Sequence, residues 1–197
     1  MREVELKSVV DNLAQRCAAV ERAGATRVFT GRLQDRRYDT PDRSLVARDH
    51  VLRVRVYESG AQARAEVDFK GPTTLEDGYK VREEIGTGLS DAATFVTILE
   101  RLGYAVTITI DRDIVQYELA GAMIRFETYP RMDVLVEVEG TPDQIEHAIA
   151  ALGLPRASLV ADRLSDFARR FELRTGEAAA VSHAALEAGA GYEPANG

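Results

Sequence analysis

Arg2-Glu-Val-Glu-Leu-Lys7 alternates charge and apolarity: Glu3, Glu5 and Lys7 fall on one side, Val4 and Leu6 on the other. Successive side chains of a β-strand point to opposite faces. The stretch therefore predicts a strand with one core face and one face bearing two carboxylates and an amine. A surface hairpin with one solvated face would account for this segment alone, so its meaning depends on the strands elsewhere.

The pattern returns five times. Residues 52–56 set Arg53 and Arg55 opposite Val54 and Val56, and residues 67–70 set Asp68 and Lys70 opposite Val67 and Phe69. Residues 80–85 set Lys80, Arg82 and Glu84 opposite Val81 and Ile85, with Glu83 the one charge on the apolar side. Residues 124–127 pair Arg125 with Glu127, and residues 134–139 pair Glu137 with Glu139 opposite Val134, Val136 and Val138. Cross-strand ion pairs on a solvated surface are the ordinary alternative. Arginines and glutamates recurring two apart on six strands argue against it. The chain also carries helices with apolar faces, and the apolar strand faces are their available partners. The charged faces then turn toward one another, and a sheet curled around them encloses a tunnel lined with both signs.

Buried charge is costly unless paired, and such a lining suits a polyanion with a metal. Arginine holds phosphate oxygens bidentately, and carboxylates hold Mg²⁺ or Mn²⁺, hard cations that take oxygen ligands.

Composition sets outer bounds. The 197 residues are 45% apolar, enough for a sizeable core, and the net charge of −7 provides no basic field for nucleic acid or an anionic membrane. One cysteine, Cys17, permits no internal disulfide; three scattered histidines show no zinc-ligand spacing. No stretch nears the roughly 18 apolar residues of a membrane span, and no signal-peptide pattern is present. A soluble cytoplasmic protein is expected.

Helices are expected over 11–23, from a Ser90 cap to Gly103, from the TPDQ capping box (141–144) to Gly153, and from a Ser158 cap through Phe171. Strands are expected at 3–7, 26–33, 37–39, 52–57, 63–70, 80–85, 106–117, 124–127 and 134–139. REVELK followed by a helix ending ERAGA, and KVREEIG followed by a helix ending ERLGY, form a weak repeat of strand–helix–strand units around one sheet. Residues 1–173 are expected to form the domain. The Ala/Gly-rich stretch 174–197 is expected as a mobile tail, briefly helical at 177–188.

The ordered set EVELK (3–7), YDTPD (38–42), LRVR (52–55), FKGP (69–72), KVREEI (80–85) and VEVEG (136–140) resembles the CYTH superfamily of triphosphate tunnel metalloenzymes. That group includes class IV adenylyl cyclases, thiamine triphosphatases and inorganic triphosphatases, and the resemblance spans about residues 1–170. It implies an α+β fold: a closed or nearly closed eight-stranded antiparallel barrel, a tunnel flanked by helices. It implies divalent metal, Mg²⁺ or Mn²⁺, at Glu3, Glu5, Glu137 and Glu139, with Glu127 at a further acid position. It implies triphosphate contacts from Lys7, Arg53, Arg55, Lys70, Arg82 and Arg112, with Arg125 on the same tunnel face. Lys7, Arg53, Arg55 and Glu84 are the candidate catalytic residues. The sequence departs from the pattern at Ile114, where a basic residue is usual, and at TYPRMD (128–133), in place of a glycine-rich link.

The expected activity is hydrolysis of a triphosphate such as ATP, thiamine triphosphate or inorganic triphosphate. The alternatives are cyclisation of ATP to cyclic AMP and pyrophosphate, and a non-catalytic polyphosphate-binding module. If the tunnel arginines repel one another when it is empty, Arg53→Ala or Arg55→Ala stabilises the ligand-free protein.

Overall fold

A computed structural model describes residues 2–192 and shows what the two faces of REVELK meet. The chain runs β1 (Arg2–Val9), α1 (Leu13–Arg22), β2 (Thr26–Asp39), β3 (Val51–Ser59), β4 (Gln62–Lys70), β5 (Thr74–Glu76) and β6 (Tyr79–Leu89). It continues with α2 (Ala92–Arg101), β7 (Ala105–Leu119), β8 (Ala122–Thr128), β9 (Leu135–Glu139), α3 (Pro142–Leu152), α4 (Leu164–Thr175) and α5 (His183–Ala188). Neighbouring strands are antiparallel, in the order β1-β9-β8-β7-β2-β3-β4-β6, and β1 pairs with β6 to close the ring. Eight strands make a closed barrel, and β5 extends the edge of β6. The fold is α+β, as the resemblance implies.

The helices decide which face is inside. Leu6, Ile124, Phe126, Val136 and Val138 lie outward and form one buried cluster with Val20 of α1 and Ile145, Ile149 and Leu152 of α3. Across the barrel, α2 lays Phe95, Val96 and Leu99 on Tyr38, Val54 and Val67. Burying each such side chain stabilises by about 1.5–3 kcal/mol. With the apolar faces covered from outside, strand alternation sends the charges inward. The two repeat units match in topology: β1-α1-β2 and β6-α2-β7 each join strands diametrically opposite in the eight-strand ring.

Local signals hold in part. In α3, Thr141 and Gln144 form the capping box, Pro142 opens the helix, and Gly153 ends it at φ 67°. Asp91, not Ser90, caps α2, because its carboxylate accepts from both the N–H and the hydroxyl of Thr94. The expected strands 26–33 and 37–39 are one strand, β2, paired along both edges with β3 and β7. Ser158 caps no long helix. Val160 and Lys7 exchange backbone hydrogen bonds (2.9 and 2.8 Å), which hold the chain extended there, and α4 starts only at Leu164. Beyond residue 173, α4 continues to Thr175, and Ala179, Ala180 and Val181 are buried. Ala180 pairs with Arg131, and α5 follows. Residues 193–197 of the expected tail lie outside the described residues.

The YDTPD turn is organised by Asp39, which is 1% exposed and accepts from the backbone N–H groups of Thr40 (2.7 Å), Leu45 (2.9 Å) and Val46 (3.0 Å). These bonds fix the 3₁₀ turn Val46–Arg48, which forms part of one rim of the barrel. Asp39→Ala is expected to cost about 2–3 kcal/mol, since charged hydrogen bonds are lost and buried donors orphaned. Urea unfolding measures this; an unchanged midpoint would show that the rim is held by other contacts.

Candidate functional site

The charged tunnel lining is shared between two unlike cavities. One cavity, of about 560 Å³, is lined by Lys7, Arg53, Lys70, Arg82, Arg112 and Arg125, with Lys80, Arg37 and Tyr192 also on its wall. The other, of about 920 Å³, is lined by Glu3, Glu66, Asp68, Glu76, Glu84 and Glu139, with Arg2 its one basic residue. A polyanion is attracted to the first and repelled by the second.

The alternation that places these groups also pairs them. Lys7 lies 2.8 Å from Glu5 and 2.6 Å from Glu137. Arg53 contacts Asp35 (3.5 Å), Asp68 (3.3 Å) and Glu84 (3.3 Å), and Arg55 contacts Asp68 (2.7 Å), Glu66 (3.4 Å) and Glu84 (3.8 Å). Lys70 bridges Glu3 (2.5 Å) and Glu84 (3.5 Å), and Lys80 meets Glu5. Arg112 lies 2.9 Å from Glu127, and Arg125 lies 3.1 Å from Glu137. Arg82 donates to the carbonyls of Gly71 (2.7 Å) and Asp49 (2.5 Å). Every candidate phosphate-contacting residue, Lys7, Arg53, Arg55, Lys70, Arg82, Arg112 and Arg125, is thus brought to the tunnel and given a partner. The expected repulsion at Arg53 and Arg55 is therefore corrected: Asp68 and Glu84 each contact both.

Of the five candidate metal acids, three converge. Ligand oxygens of Glu3, Glu5 and Glu139 lie within 4.8 Å of one another, although Glu139 is far from the other two in sequence; β1–β9 pairing sets Glu5 opposite Glu139. Glu137 and Glu127 lie outside this cluster. Glu137 is held by Lys7 and Arg125; Glu127 is held by Arg112 and accepts from the Tyr129 hydroxyl at 2.5 Å.

The sequence reading missed several tunnel groups. Asp35 is fully buried between Arg53 and Arg112 (3.8 Å). Splitting β2 hid it, although Leu33, Asp35, Arg37 and Asp39 keep the period of two. Tyr129 belongs to TYPRMD, the same stretch whose Arg131 anchors Ala180 and donates to the carbonyl of Ala178 at 2.7 Å. At the other departure, Ile114 packs with Leu33 and Tyr57 inside the barrel.

The charges shift one another's protonation. Burial pushes Glu5 up, but Lys7, Lys80 and Lys70 outweigh it and hold it at about 2. Burial opposes the charge on Lys7, yet Glu137 and Glu5 raise its pKa above the usual lysine range. Glu139 moves the other way: burial, the charge on Glu137 and a hydrogen bond with Glu137 raise it well above the carboxylate range. A group with a raised folded pKa contributes its stability below the unfolded pKa and loses it as pH rises through the folded value. The metal-free protein should therefore lose stability as pH climbs through the Glu139 transition. A divalent ion needs the carboxylate, so its binding should release a proton and tighten with pH over that window. Calorimetry in buffers of different protonation enthalpy reads this release; pH-independent Mn²⁺ affinity would exclude Glu139 as a ligand.

A CYTH domain family model matches residues 1–152. No curated protein matches the chain. Among solved structures, an adenylate cyclase candidate from Vibrio parahaemolyticus is 20% identical, with a TM-score of 0.71 over 84% of this chain and 96% of that one. A Pyrococcus horikoshii protein is 17% identical, with a TM-score of 0.66 over 84% of this chain and 98% of that one. A Hippeastrum adenylyl cyclase candidate with dominant triphosphatase activity is 14% identical, with a TM-score of 0.58 over 88% of this chain and 96% of that one. At these identities the likeness shows a shared fold.

Proposed function

The chain belongs to the CYTH domain family, and from that premise we propose that it is a divalent-metal-dependent enzyme that holds a triphosphate in the basic cavity of its tunnel and hydrolyses it. The observation that carries this reading is the meeting of two sites in one barrel. Glu3 and Glu139 line the acidic cavity, Glu5 lines the basic one, and their oxygens converge between them. Three convergent carboxylates fit Mg²⁺ or Mn²⁺ by their donor chemistry. An ion held there by Glu3, Glu5 and Glu139 would supply charge stabilisation at phosphate and a more acidic bound water.

The chain's own groups supply the rest. Arg53 and Arg55 carry five donors each, enough to keep their carboxylates and add phosphate oxygens. Lys7, charged between Glu5 and Glu137, offsets charge that develops on the phosphoryl group. Glu84 contacts Arg53, Arg55 and Lys70 together and orients that trio. Lys70, Arg82, Arg112 and Arg125 complete the anion lining.

Hydrolysis needs the triphosphate held and a water placed. Cyclisation makes the stricter demand of a pocket that also orients the ribose. We infer a cytoplasmic enzyme, since a free cysteine is unexceptional in that compartment. No helix among the described residues is long and apolar enough to cross a membrane.

The test is product analysis with ATP, thiamine triphosphate and tripolyphosphate in Mg²⁺ or Mn²⁺. Orthophosphate is expected. Cyclic AMP and pyrophosphate in equal amounts, without orthophosphate, would make it a cyclase; binding without product would make it a non-catalytic module.

A further inference from the structure

Arg37 breaks the rule that the other tunnel cations follow. Lys7, Arg53, Arg55, Lys70, Lys80, Arg82, Arg112 and Arg125 each have a carboxylate within 4.0 Å. Among the described residues, the side chain of Arg37 has no ion pair and no hydrogen bond, and its Nε is buried without a partner. Asp35, two residues away on the same strand face, directs Oδ2 to Arg53 and Arg112, while its Oδ1 accepts no hydrogen bond. Arg37 also stands directly opposite Arg53 in the β2–β3 register, where like charges destabilise. A partly buried guanidinium without a partner of its own can take an anion without giving up an existing contact.

Its place says which part of an anion it would meet. Arg37 lines the basic cavity and not the acidic one. Strands β1 and β2 are four antiparallel steps apart, so they run in the same direction. Leu33 to Arg37 therefore follows the barrel as Glu3 to Lys7 does, and Arg37 lies toward the end away from Glu3. Arg48 and Arg163 line the same mouth but are otherwise occupied: Arg48 donates to the Ser44 carbonyl (2.9 Å), and Arg163 meets Asp49 (3.1 Å). Tyr192, which packs on the cluster containing Ile110 and Phe167, closes the wall beside Arg37.

We propose that Arg37 is a further phosphate-binding residue, taking the phosphate at the end of the chain farthest from Glu3, Glu5 and Glu139. This rests on the triphosphate reading of the tunnel. A shorter anion held at the carboxylate cluster would not reach it, so Arg37 would set the preference for triphosphate over diphosphate.

The experiment titrates tripolyphosphate and pyrophosphate, with Mn²⁺ present, into the parent and into Arg37→Gln, Arg37→Ala and Arg37→Lys. Arg32→Gln, at an exposed position on the opposite face of β2, is the control. The Gln and Ala variants should lose about tenfold or more in tripolyphosphate affinity, the scale of one charged hydrogen bond, and little for pyrophosphate. Lys should recover part of the loss. Mn²⁺ affinity without anion should be unchanged. The ligand-free melting temperature should fall far less than for Arg53→Ala, since Arg37 touches no carboxylate and aids Asp35 only at a distance. Equal losses for both anions, or no loss for either, overturns the assignment. A parent that binds both anions without turnover overturns hydrolysis alone; one that binds neither overturns both.

Discussion

Glu139→Gln is expected to lower Mn²⁺ affinity by at least about 100-fold while the metal-free protein keeps close to parental stability. Removing a group that merely orients a ligand costs up to about 100-fold, and losing a ligand's own charge should reach or exceed that. The fold should be spared because Glu139, pressed by burial and by Glu137, already favours its neutral form. Glutamine keeps the shape and the neutrality. Glu5→Gln should cost comparable metal affinity but should also destabilise the protein. Its carboxylate lies between Lys7 and Lys80, and breaking buried pairs of this kind costs about 3–5 kcal/mol. Calorimetry and thermal melts on both variants therefore separate metal from fold. Parental Mn²⁺ affinity in both would remove the metal from this cluster.

Arg53→Ala should lose triphosphate affinity by about 1.5–3 kcal/mol, the value of a charged hydrogen bond. It should also destabilise the empty protein, by about 3–5 kcal/mol. This reverses the sign expected from repulsion among tunnel arginines. Arg53 lies among Asp35, Asp68 and Glu84, and Asp35 is fully buried; removing the guanidinium leaves these carboxylates short of a cation. The carboxylate of Asp35 is held below its usual range against the push of burial, chiefly by Arg53, with help from Arg37 and Arg112. Its contribution is present above the unfolded pKa and fades as pH falls, so the stability cost of Arg53→Ala should be greatest near neutral pH and shrink on acidification as Asp35 becomes protonated. A variant as stable as the parent at neutral pH, or one that binds tripolyphosphate as well as the parent, would contradict this account. The contrast with Arg37 is one of contact: both are tunnel arginines, but of the two only Arg53 touches the Asp35 carboxylate.

Alternation was the legible part of this chain. Period-two charge on REVELK, LRVR and VEVE, together with apolar helix faces, determined that charged strand faces lie inside and helices outside. That inference needs only the opposed side chains of a strand and the cost of exposing Ile145, Ile149 or Leu99. The capping box at Thr141 was legible for a similar reason, since its hydrogen bonds join residues three apart. Helix starts at Ser90 and Ser158 were not. Each depends on a competing partner, the Asp91 carboxylate in one case and the Lys7 backbone in the other, and only the second lies far away in sequence.

By itself, the sequence determined which residue types face the tunnel, because that follows from a local period. Tertiary structure decided which of them meet. Glu139 joins Glu3 and Glu5 because β1 pairs with β9, while Glu127 meets Arg112, and Glu137 meets Lys7 and Arg125, on neighbouring strands. Tyr192 reaches the tunnel wall because Ala180 pairs with Arg131 and leads the chain back across the barrel mouth. Register, closure and chain return join residues distant in sequence, and a single strand's pattern carries no record of its neighbours.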